Sequence, residues 1–425
     1  MLFQNRLKRL LSVHQVERSF MNILIIAPFF PLPLDSGGHT RLFNIIKFLS
    51  RSHTIDFISP FTSHSSEYFP QMKQYCRNIA LINIEEFMNK TSMRKNIQRL
   101  LQRFCMLVMG IPPEASGFYF HSLRDKLDEF LDNNKYDVVQ VEYPRMALHL
   151  RPEFYTRNSS IKVIVDYDLS FVTPWRQYCN EKHWLRRQLY YANYLLQKNF
   201  ALSTWKRFDR MVVMSEVDKK KVKEMAPYQD VRVVPNGVDL ESFPVINRCE
   251  TSPLLIMLGG ASHWANIDAY KYFTEEIFSR VTQLVPRISL CVVGSGWDKY
   301  SESAADPAIT FSGFADDLQS LFTGSTVLIA PIRVGGGTRL KILEAMAMGV
   351  PVVSTTVGCE GIEVIDGVHL LKADTPELFA EQIKKIFTDS SLCQKLLTNA
   401  RELVEEKYGW NNLAMLMEKV YDKSG

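Results

Sequence analysis

The sequence predicts an α/β protein of two Rossmann-like, doubly wound domains, and three observations carry that prediction. Short apolar runs of strand length alternate with amphipathic stretches of helical period, the pattern of parallel sheets covered by helices. The alternation is interrupted once, by a turn-rich segment past the middle, and then restarts. The chain has 425 residues, too many for one ordinary core and suited to two domains of roughly 200 residues each.

In the first half, Asn22–Ala27 is an apolar run closed by Pro28 and Pro31, which reads as a buried parallel strand. The small loop Asp35-Ser-Gly-Gly-His-Thr follows. A helix then carries Leu42, Ile45, Ile46 and Leu49 on one face, and a strand comes next at Ile55–Ser59. Strand, glycine loop, helix and strand make a βαβ unit. Further strands are predicted at Ile79–Ile84, Val138–Val141, Val163–Val165, Met211–Met214 and Val231–Val234. Helices fit at Leu123–Asn133, Trp184–Arg207 and Val217–Met225. Val234-Pro-Asn-Gly-Val-Asp239 is rich in turn residues and reads as the linker.

The second series has strands at Leu254–Leu258, Leu290–Val293, Ile309–Phe311, Val327–Ala330, Val352–Ser354 and Leu370–Lys372. Its helices fit at Asp268–Gln283, Asp316–Phe322, Thr338–Met348 and Pro376–Asp389. A final helix over Trp410–Lys423 puts Leu413, Leu416, Met417 and Val420 on one face. The expected division is a basic extension at 1–20, domains at 21–237 and 238–406, and a terminal helix at 407–425.

Hydrophobic residues make up 46% of the chain and charged residues 23%, which excludes a disordered or collagen-like polymer. A net charge of +4 is too mild for a nucleic-acid binder, which concentrates Lys and Arg on one face. It suits an anionic small molecule or an anionic membrane surface. Seven cysteines stand apart without a Cys-x-x-Cys pair, so they read as reduced core thiols and not as a zinc site or disulfide framework. No apolar run reaches the ~18 residues a bilayer span requires. The expected location is cytoplasmic, with peripheral contact at the inner face of the membrane. Residues 1–20 interleave Leu7, Leu10, Leu11 and Val13 with Arg6, Lys8 and Arg9. They read either as a short surface-binding helix or as an extension ahead of a start at Met21.

The densest chemistry lies in Ala330-Pro-Ile-Arg-Val-Gly-Gly-Gly-Thr-Arg-Leu-Lys-Ile-Leu-Glu344. A strand ends, three glycines follow, and a helix opens near Thr338. Gly335, Gly336 and Gly337 lack Cβ atoms, so their amides can approach an anion closely. The helix start adds N–H donors and the positive end of a dipole. Arg339 and Lys341 oppose that dipole at a cost of a few tenths of a kcal/mol, which an anionic ligand would offset. Glu344, deeper along the helix, suits the two hydroxyls of a ribose. The alternative is a glycine turn before a solvated helix, with Glu344 paired to a surface lysine.

This segment resembles the nucleotide-sugar motif of the family 4 glycosyltransferases of the GT-B class, in the branch reading G-G-G-T-R-x-K-I-L-E-A-M-A that serves bacterial surface polysaccharide assembly. Val213-Met-Ser-Glu-Val-Asp218, Val234-Pro-Asn-Gly-Val-Asp239 and Met257-Leu-Gly-Gly-Ala-Ser-His-Trp-Ala-Asn-Ile-Asp-Ala269 are similar to that family as well. The resemblance runs from Met21 to about Lys423. It implies two domains facing a cleft, a terminal helix crossing back to the first domain, and a retaining transfer from a UDP- or GDP-linked sugar to a hydroxyl of a carbohydrate or lipid-linked acceptor. Donor binding would then fall to Gly37, Gly38, Gly294, Gly336, Gly337, Thr338, Arg339, Lys341 and Glu344.

Two departures from the family stand out. The first acid of the paired-glutamate motif falls on Gly336, leaving the amides of Gly337 and Thr338 as the nearest substitutes. The Arg and Lys that usually follow the first donor-domain strand are missing from Gly259–Asn266, and Arg339 and Lys341 would supply that charge. Where the family often has a histidine at the end of the Val138–Val141 strand, Glu142 stands nearest. Asp168 ends the following strand, and His39 follows the first glycine loop. These three are the catalytic candidates, since strand C-termini bind ligands in open α/β sheets and a carboxylate there can act as base. Each also suits a local cap, an ion pair or a solvated loop. Glu360 and Gly361 would border the sugar. Arg94–Arg103, basic and apolar together, suits membrane contact or a solvated helix face. No metal or other cofactor is demanded, because the cations can neutralise the diphosphate. Two rival readings are a nucleotide-sugar epimerase of the same fold and a non-catalytic nucleotide-sugar-binding partner protein.

Overall fold

The computed structural model describes residues 20–34, 36–83, 93–246, 253–301, 306–313, 315, 318–322, 326–334 and 338–422. Residues 1–19, Asp35 and the triple glycine Gly335–Gly337 therefore lie outside the described residues.

Seven strands form the first sheet: β1 (Asn22–Ile26), β2 (Thr54–Phe61), β3 (Asn78–Asn83), β4 (Val138–Glu142), β5 (Ile161–Val165), β6 (Arg210–Val213) and β7 (Val231–Val233). Their order is β3-β2-β1-β4-β5-β6-β7. β1 pairs in parallel with both β2 and β4, with Ile25 opposite Phe57 and Gln140. Ile23, Leu24, Ile25 and Ile26 are all buried, as a strand covered on both faces by helices requires. Helix α1 (Gly37–Leu49) follows β1, and Ser36 caps it by accepting the His39 N–H at 3.3 Å. Helices α2 (Met93–Val108) and α3 (His121–Asn133) precede β4. Helices α4 (Val172–Asn180) and α5 (Trp184–Trp205) separate β5 from β6, and α6 (Glu216–Met225) leads to β7.

The second sheet holds β8 (Leu254–Leu258), β9 (Ser289–Val293), β10 (Ile309–Phe311), β11 (Thr326–Ala330), β12 (Val352–Ser354) and β13 (Leu371–Lys372). Its order is β10-β9-β8-β11-β12-β13, parallel throughout. Helices α7 (Trp264–Tyr272), α8 (Phe278–Leu284), α9 (Leu340–Ala347), α10 (Pro376–Thr388), α11 (Ser390–Lys407) and α12 (Trp410–Tyr421) complete this half. Two apolar clusters flank the sheet. Phe273, Phe278, Val292, Val327 and Phe379 lie in one, and Leu258, Leu328, Ile342, Met346 and Val404 in the other.

Of the helix predicted over Asp316–Phe322, Leu318–Leu321 is helical, while Asp316 and Asp317 lie outside the described residues. Three other differences concern the course of the chain. The single helix expected over Asp268–Gln283 is α7 and α8 joined by a wider i→i+5 stretch at Phe273–Ile277. α4 and α11 were not anticipated. α11 begins where the sequence seemed to end a helix, because Asp389 stops α10 and caps the next helix by accepting Leu392 N–H at 2.9 Å. The turn-rich linker is a packed segment: Val238 N–H donates to Tyr408 O at 2.9 Å, and a Cβ on Gly237 would lie 2.7 Å from the same oxygen.

Contacts divide the chain into two compact units. One contains β1 to β5; the other contains α4, α5, β6 and everything after it. Within the second, Arg210 of β6 donates to the Val420 carbonyl of α12.

Candidate active site

Both sheets reverse their winding once, between β1 and β4 in the first and between β8 and β11 in the second. The chain leaves the two strands at such a point in opposite directions, which opens a crevice beyond their C-terminal ends where ligands bind. Most of the predicted site residues stand at these two places.

At the second switch point, β8 ends at Leu258 and turns through Gly259 and Gly260, while β9 ends at Gly294-Ser-Gly296. The two turns press together. Gly294 has φ +146°, and a Cβ there would come within 2.6 Å of the Gly259 carbonyl carbon, so only glycine fits. Trp297 Nε1 donates to Gly259 O at 2.9 Å, and Asn266 Nδ2 donates to Gly260 O at 2.9 Å. The turns are thus held by their own chain before any ligand arrives.

Opposite them, α9 follows β11. Arg339 is extended and Thr338 lies outside the helix, which opens at Leu340, two residues later than predicted, with Arg339 in the cap position. Among the described residues no side chain caps this terminus; Ile342 N–H turns back to Arg339 O at 3.0 Å, and the N–H groups ahead of it are those a helix start leaves to other partners. Thr338 is buried, and its Oγ1 has no hydrogen-bond partner among the described residues. A hydroxyl in that state costs about 1–3 kcal/mol. Gly361, at φ +84°, lies against it: a Cβ there would sit 3.4 Å from Thr338 Oγ1 and 3.4 Å from Ser215 Cβ.

Lys341 projects from the first turn of α9 to the end of β8, where its ammonium donates to Leu258 O and lies 3.4 Å from Asn266 Oδ1. The lysine brings a cation to the strand end whose own loop has none. Burial, with Arg339 nearby, lowers its pKa to about 8, and Glu344 partly opposes the shift. Burial pushes the Glu344 carboxyl up to about 7, with Lys341 opposing. Burial also lowers the pKa of Arg339; Glu360 opposes this and Arg176 adds to it. Arg176 of α4 stands 3.7 Å from Glu360. Two guanidinium groups, an ammonium, two carboxylates and an unsatisfied hydroxyl therefore surround one uncapped helix start, an arrangement suited to an anion bearing hydroxyls. Of the predicted donor residues, Gly294, Thr338, Arg339, Lys341 and Glu344 belong to this half. Gly336 and Gly337 lie outside the described residues.

At the first switch point, Gly37, Gly38 and His39 open α1 beyond β1, and Glu142 ends β4. The His39 ring meets Phe29 edge-on at 4.5 Å, and a Cβ on Gly38 would lie 3.1 Å from the same phenyl ring. Glu142 is buried and accepts from Gln140 Nε2. Tyr143 next to it has φ +66°, a strained backbone for a non-glycine residue; such strain costs roughly 1–3 kcal/mol and clusters at functional sites. Arg145 stacks on Tyr143 at 4.3 Å. Sequence reasoning passed over Phe29, Tyr143 and Arg145, since no composition signal marks them.

Two further groups are sorted by the structure. Asp166 is fully buried, accepting Trp205 Nε1–H at 3.1 Å and Leu169 N–H at 3.3 Å, whereas Asp168 is exposed. Burial pushes Asp166 up to about 7, and Asp168 adds to the shift. His149 is an architectural histidine. Phe120 N–H donates to its Nε2 at 3.1 Å, which leaves Nδ1–H to donate to Met146 O at 3.1 Å. Burial lowers its pKa to about 4, so it stays neutral. Among the described residues no group of three or more His, Cys, Asp or Glu could hold a metal ion.

Two parallel sheets with glycine turns, and an uncapped, cationic helix start at one switch point, define a transferase of the GT-B type. The chain belongs to the group 1, family 4 glycosyltransferases. The model of glycosyltransferase family 4 matches residues 35–242, and that of group 1 glycosyl transferases matches residues 252–389. A 44.6 kDa protein of the cps region of Klebsiella pneumoniae is 22% identical over 401 residues, covering 91% of this chain and 96% of the relative. The lipopolysaccharide 1,2-N-acetylglucosaminetransferase of Salmonella typhimurium is 23% identical over 237 residues, 49% of this chain and 61% of that one. The Anabaena HepE protein, solved in complex with UDP and glucose, has a TM-score of 0.63 at 13% identity, covering 94% of this chain and 99% of HepE.

Proposed function

We propose that this glycosyltransferase moves a sugar from a UDP- or GDP-linked donor to a hydroxyl of a carbohydrate or lipid-linked acceptor, with retention, in bacterial cell-surface polysaccharide or glycolipid assembly. One observation carries the donor assignment. Lys341 bridges from the uncapped start of α9 to the end of β8 while the buried Thr338 hydroxyl lacks a partner. A diphosphate beside Lys341, Arg339 and the α9 amides would complete both.

In this reading the cations stabilise charge that grows on the leaving diphosphate, so the transfer needs no metal. Glu344 accepts the ribose hydroxyls. Glu360, beside Arg339 and Arg176, takes over the sugar contact that Gly336 cannot make. Gly294 floors the nucleoside pocket, and we assign Gly37 and Gly38 to donor binding as well. We assign Glu142, Asp168 and His39 to the acceptor hydroxyl, where a carboxylate can orient it or take its proton. The HepE complex with UDP and glucose, and the Salmonella relative's part in lipopolysaccharide, support the donor and acceptor classes.

We place the protein in the cytoplasm, in peripheral contact with the membrane. No helix of the described residues is long and apolar enough to cross a membrane. In α2, Leu101, Phe104, Leu107 and Val108 are exposed on a helix whose sequence holds Arg94, Lys95, Arg99 and Arg103 and no acid.

Nucleotide release from a panel of UDP- and GDP-sugars, measured with and without a lipid-linked acceptor, tests the reading. Release that depends on acceptor supports it. Donor binding without release would point to a binding partner, and sugar conversion without acceptor to an epimerase.

A further inference from the structure

Arg176 of α4 lies at the start of α9, yet neither the diphosphate nor the ribose requires it. It stands 3.7 Å from Glu360, and both residues belong to the same compact unit. That separation exceeds the roughly 2.7–2.9 Å of a charge-assisted hydrogen bond. The two groups therefore attract without spending their donors and acceptors on each other. Their side chains are 34% and 33% exposed, which leaves both open to a ligand. Arg339 lies in the field of both.

Both partners are carried on braced backbone. Rings hold α4 against α5: Trp175 meets Tyr194 at 4.9 Å, and Tyr178 meets Tyr191 at 5.1 Å. Arg187 of α5 lies 4.7 Å over the Tyr178 ring. Glu360 rides on the turn after β12, where Gly358 N–H donates to Thr355 Oγ1 at 2.9 Å and Cys359 N–H to Thr355 O at 3.2 Å. A Cβ on Gly358 would lie 2.6 Å from Ala330 O, which restricts that position to glycine. Gly361, the next residue, lies against the Thr338 hydroxyl. The turn thus sets Glu360 beside the groups assigned to the phosphates.

Charge then selects the ligand. Arg339 and Lys341 answer the negative charge of the diphosphate, and Glu344 answers the ribose hydroxyls. Arg176 and Glu360 remain, a donor fork and an acceptor of equal and opposite charge. A sugar hydroxyl both donates and accepts, so it can bridge such a pair. A carboxylate on the sugar would meet Glu360 as a like charge. We infer that Arg176 is a specificity-determining residue: with Glu360 it forms a neutral pair that hydrogen-bonds the hydroxyls of the donor sugar and selects an uncharged sugar over a uronic acid. This rests on the nucleotide-sugar reading proposed above and adds to it the class of the sugar.

The test is titration calorimetry of the full chain with bare UDP and GDP, with UDP-linked glucose and galactose and GDP-linked mannose, and with the uronate of each sugar nucleotide. Wild type should hold the uncharged sugar nucleotide at least about tenfold more tightly than its uronate, given the cost of a like-charge contact. Glu360→Gln should narrow that preference, because the like charge is gone. Arg176→Gln should weaken the uncharged sugar nucleotide about tenfold, the worth of a hydrogen bond to a charged group, while bare nucleotide binds as it does to wild type. Arg176→Lys keeps the charge and should recover part of the loss. Both side chains are partly exposed, so the variants should melt at the wild-type temperature, and the wild-type preference is read without any substitution. A uronate bound as tightly as its uncharged counterpart would overturn the inference. So would an Arg176→Gln variant that weakens bare nucleotide and sugar nucleotide equally, since the arginine would then serve the diphosphate. Failure of every nucleotide to bind, with or without sugar, would refute the nucleotide-sugar reading itself. Nucleotide binding that is indifferent to the sugar's charge would refute the neutral pair alone.

Discussion

Asp166, just after β5, and Glu344, inside α9, are carboxyl groups that burial pushes to about 7, yet they sit in different company. Asp166 is satisfied by its own chain through Trp205 and Leu169. Glu344 is half-buried with a lysine in its field, and beside it the buried Thr338 hydroxyl has no partner among the described residues. Burying a polar group costs free energy unless a partner replaces water. The chain bears that cost in both regions but recovers it internally only around Asp166. The difference separates a charge that holds a strand end in place from charges arranged for a ligand.

The comparison breaks most readily at Lys341. If it clamps a diphosphate, Lys341→Ala should lower turnover well over tenfold in a nucleotide-release assay, each factor of ten being 1.36 kcal/mol. An unchanged rate would reassign the lysine to holding β8 and α9 together. The pH dependence sharpens the same point. Donor capture needs Lys341 protonated and Glu344 ionised, so kcat/KM should be highest between about 7 and 8. It should fall on the alkaline side as Lys341 loses its proton, and on the acid side as Glu344 gains one. The residual activity of Lys341→Ala should lack the alkaline limb.

Thr338 offers a smaller but cleaner contrast, because stability and function should move in opposite directions. Thr338→Val keeps the shape and removes a buried hydroxyl without a partner, so the melting temperature should stay level or rise. Donor affinity should weaken about fivefold, the worth of roughly one hydrogen bond. A variant that is destabilised and binds donor normally would place the hydroxyl in the fold and not in the site.

Much of this contrast was open to inspection before any coordinates. Asn22–Ala27 and Val327–Ala330 are apolar runs bounded by proline or turn residues, and length and alternation make them strands. The cationic start of α9 was visible because Arg339 and Lys341 violate the helix-dipole preference. The destination of Lys341 was not, since Leu258 and Asn266 lie 83 and 75 residues away and only the winding of the sheet brings them near. The strained Tyr143 leaves no trace in composition, for φ +66° is imposed by packing and not by residue type. Local chemistry was legible; pairing across the fold was not.

The gentlest test concerns Asp166, where the claim is architecture. Its folded pKa of about 7 lies above the ordinary value of 3.8, so the folded chain holds a proton that the unfolded chain releases between those values. The stabilising contribution is therefore present at low pH and lost as pH rises toward 7. Glu344 contributes a slope of the same sign, from its ordinary 4.5 up to about 7, so wild-type stability should decline across that range. Asp166→Asn removes one of the two contributions. The variant also loses one acceptor oxygen, a cost present at every pH, so the informative quantity is the change in its melting temperature relative to wild type between about pH 5 and pH 8. That relative change should favour the variant at the higher pH by roughly 2–4 °C, with nucleotide release little altered. A tenfold loss of release in a variant that melts normally would move Asp166 into the site and erase the distinction between the two carboxyl groups.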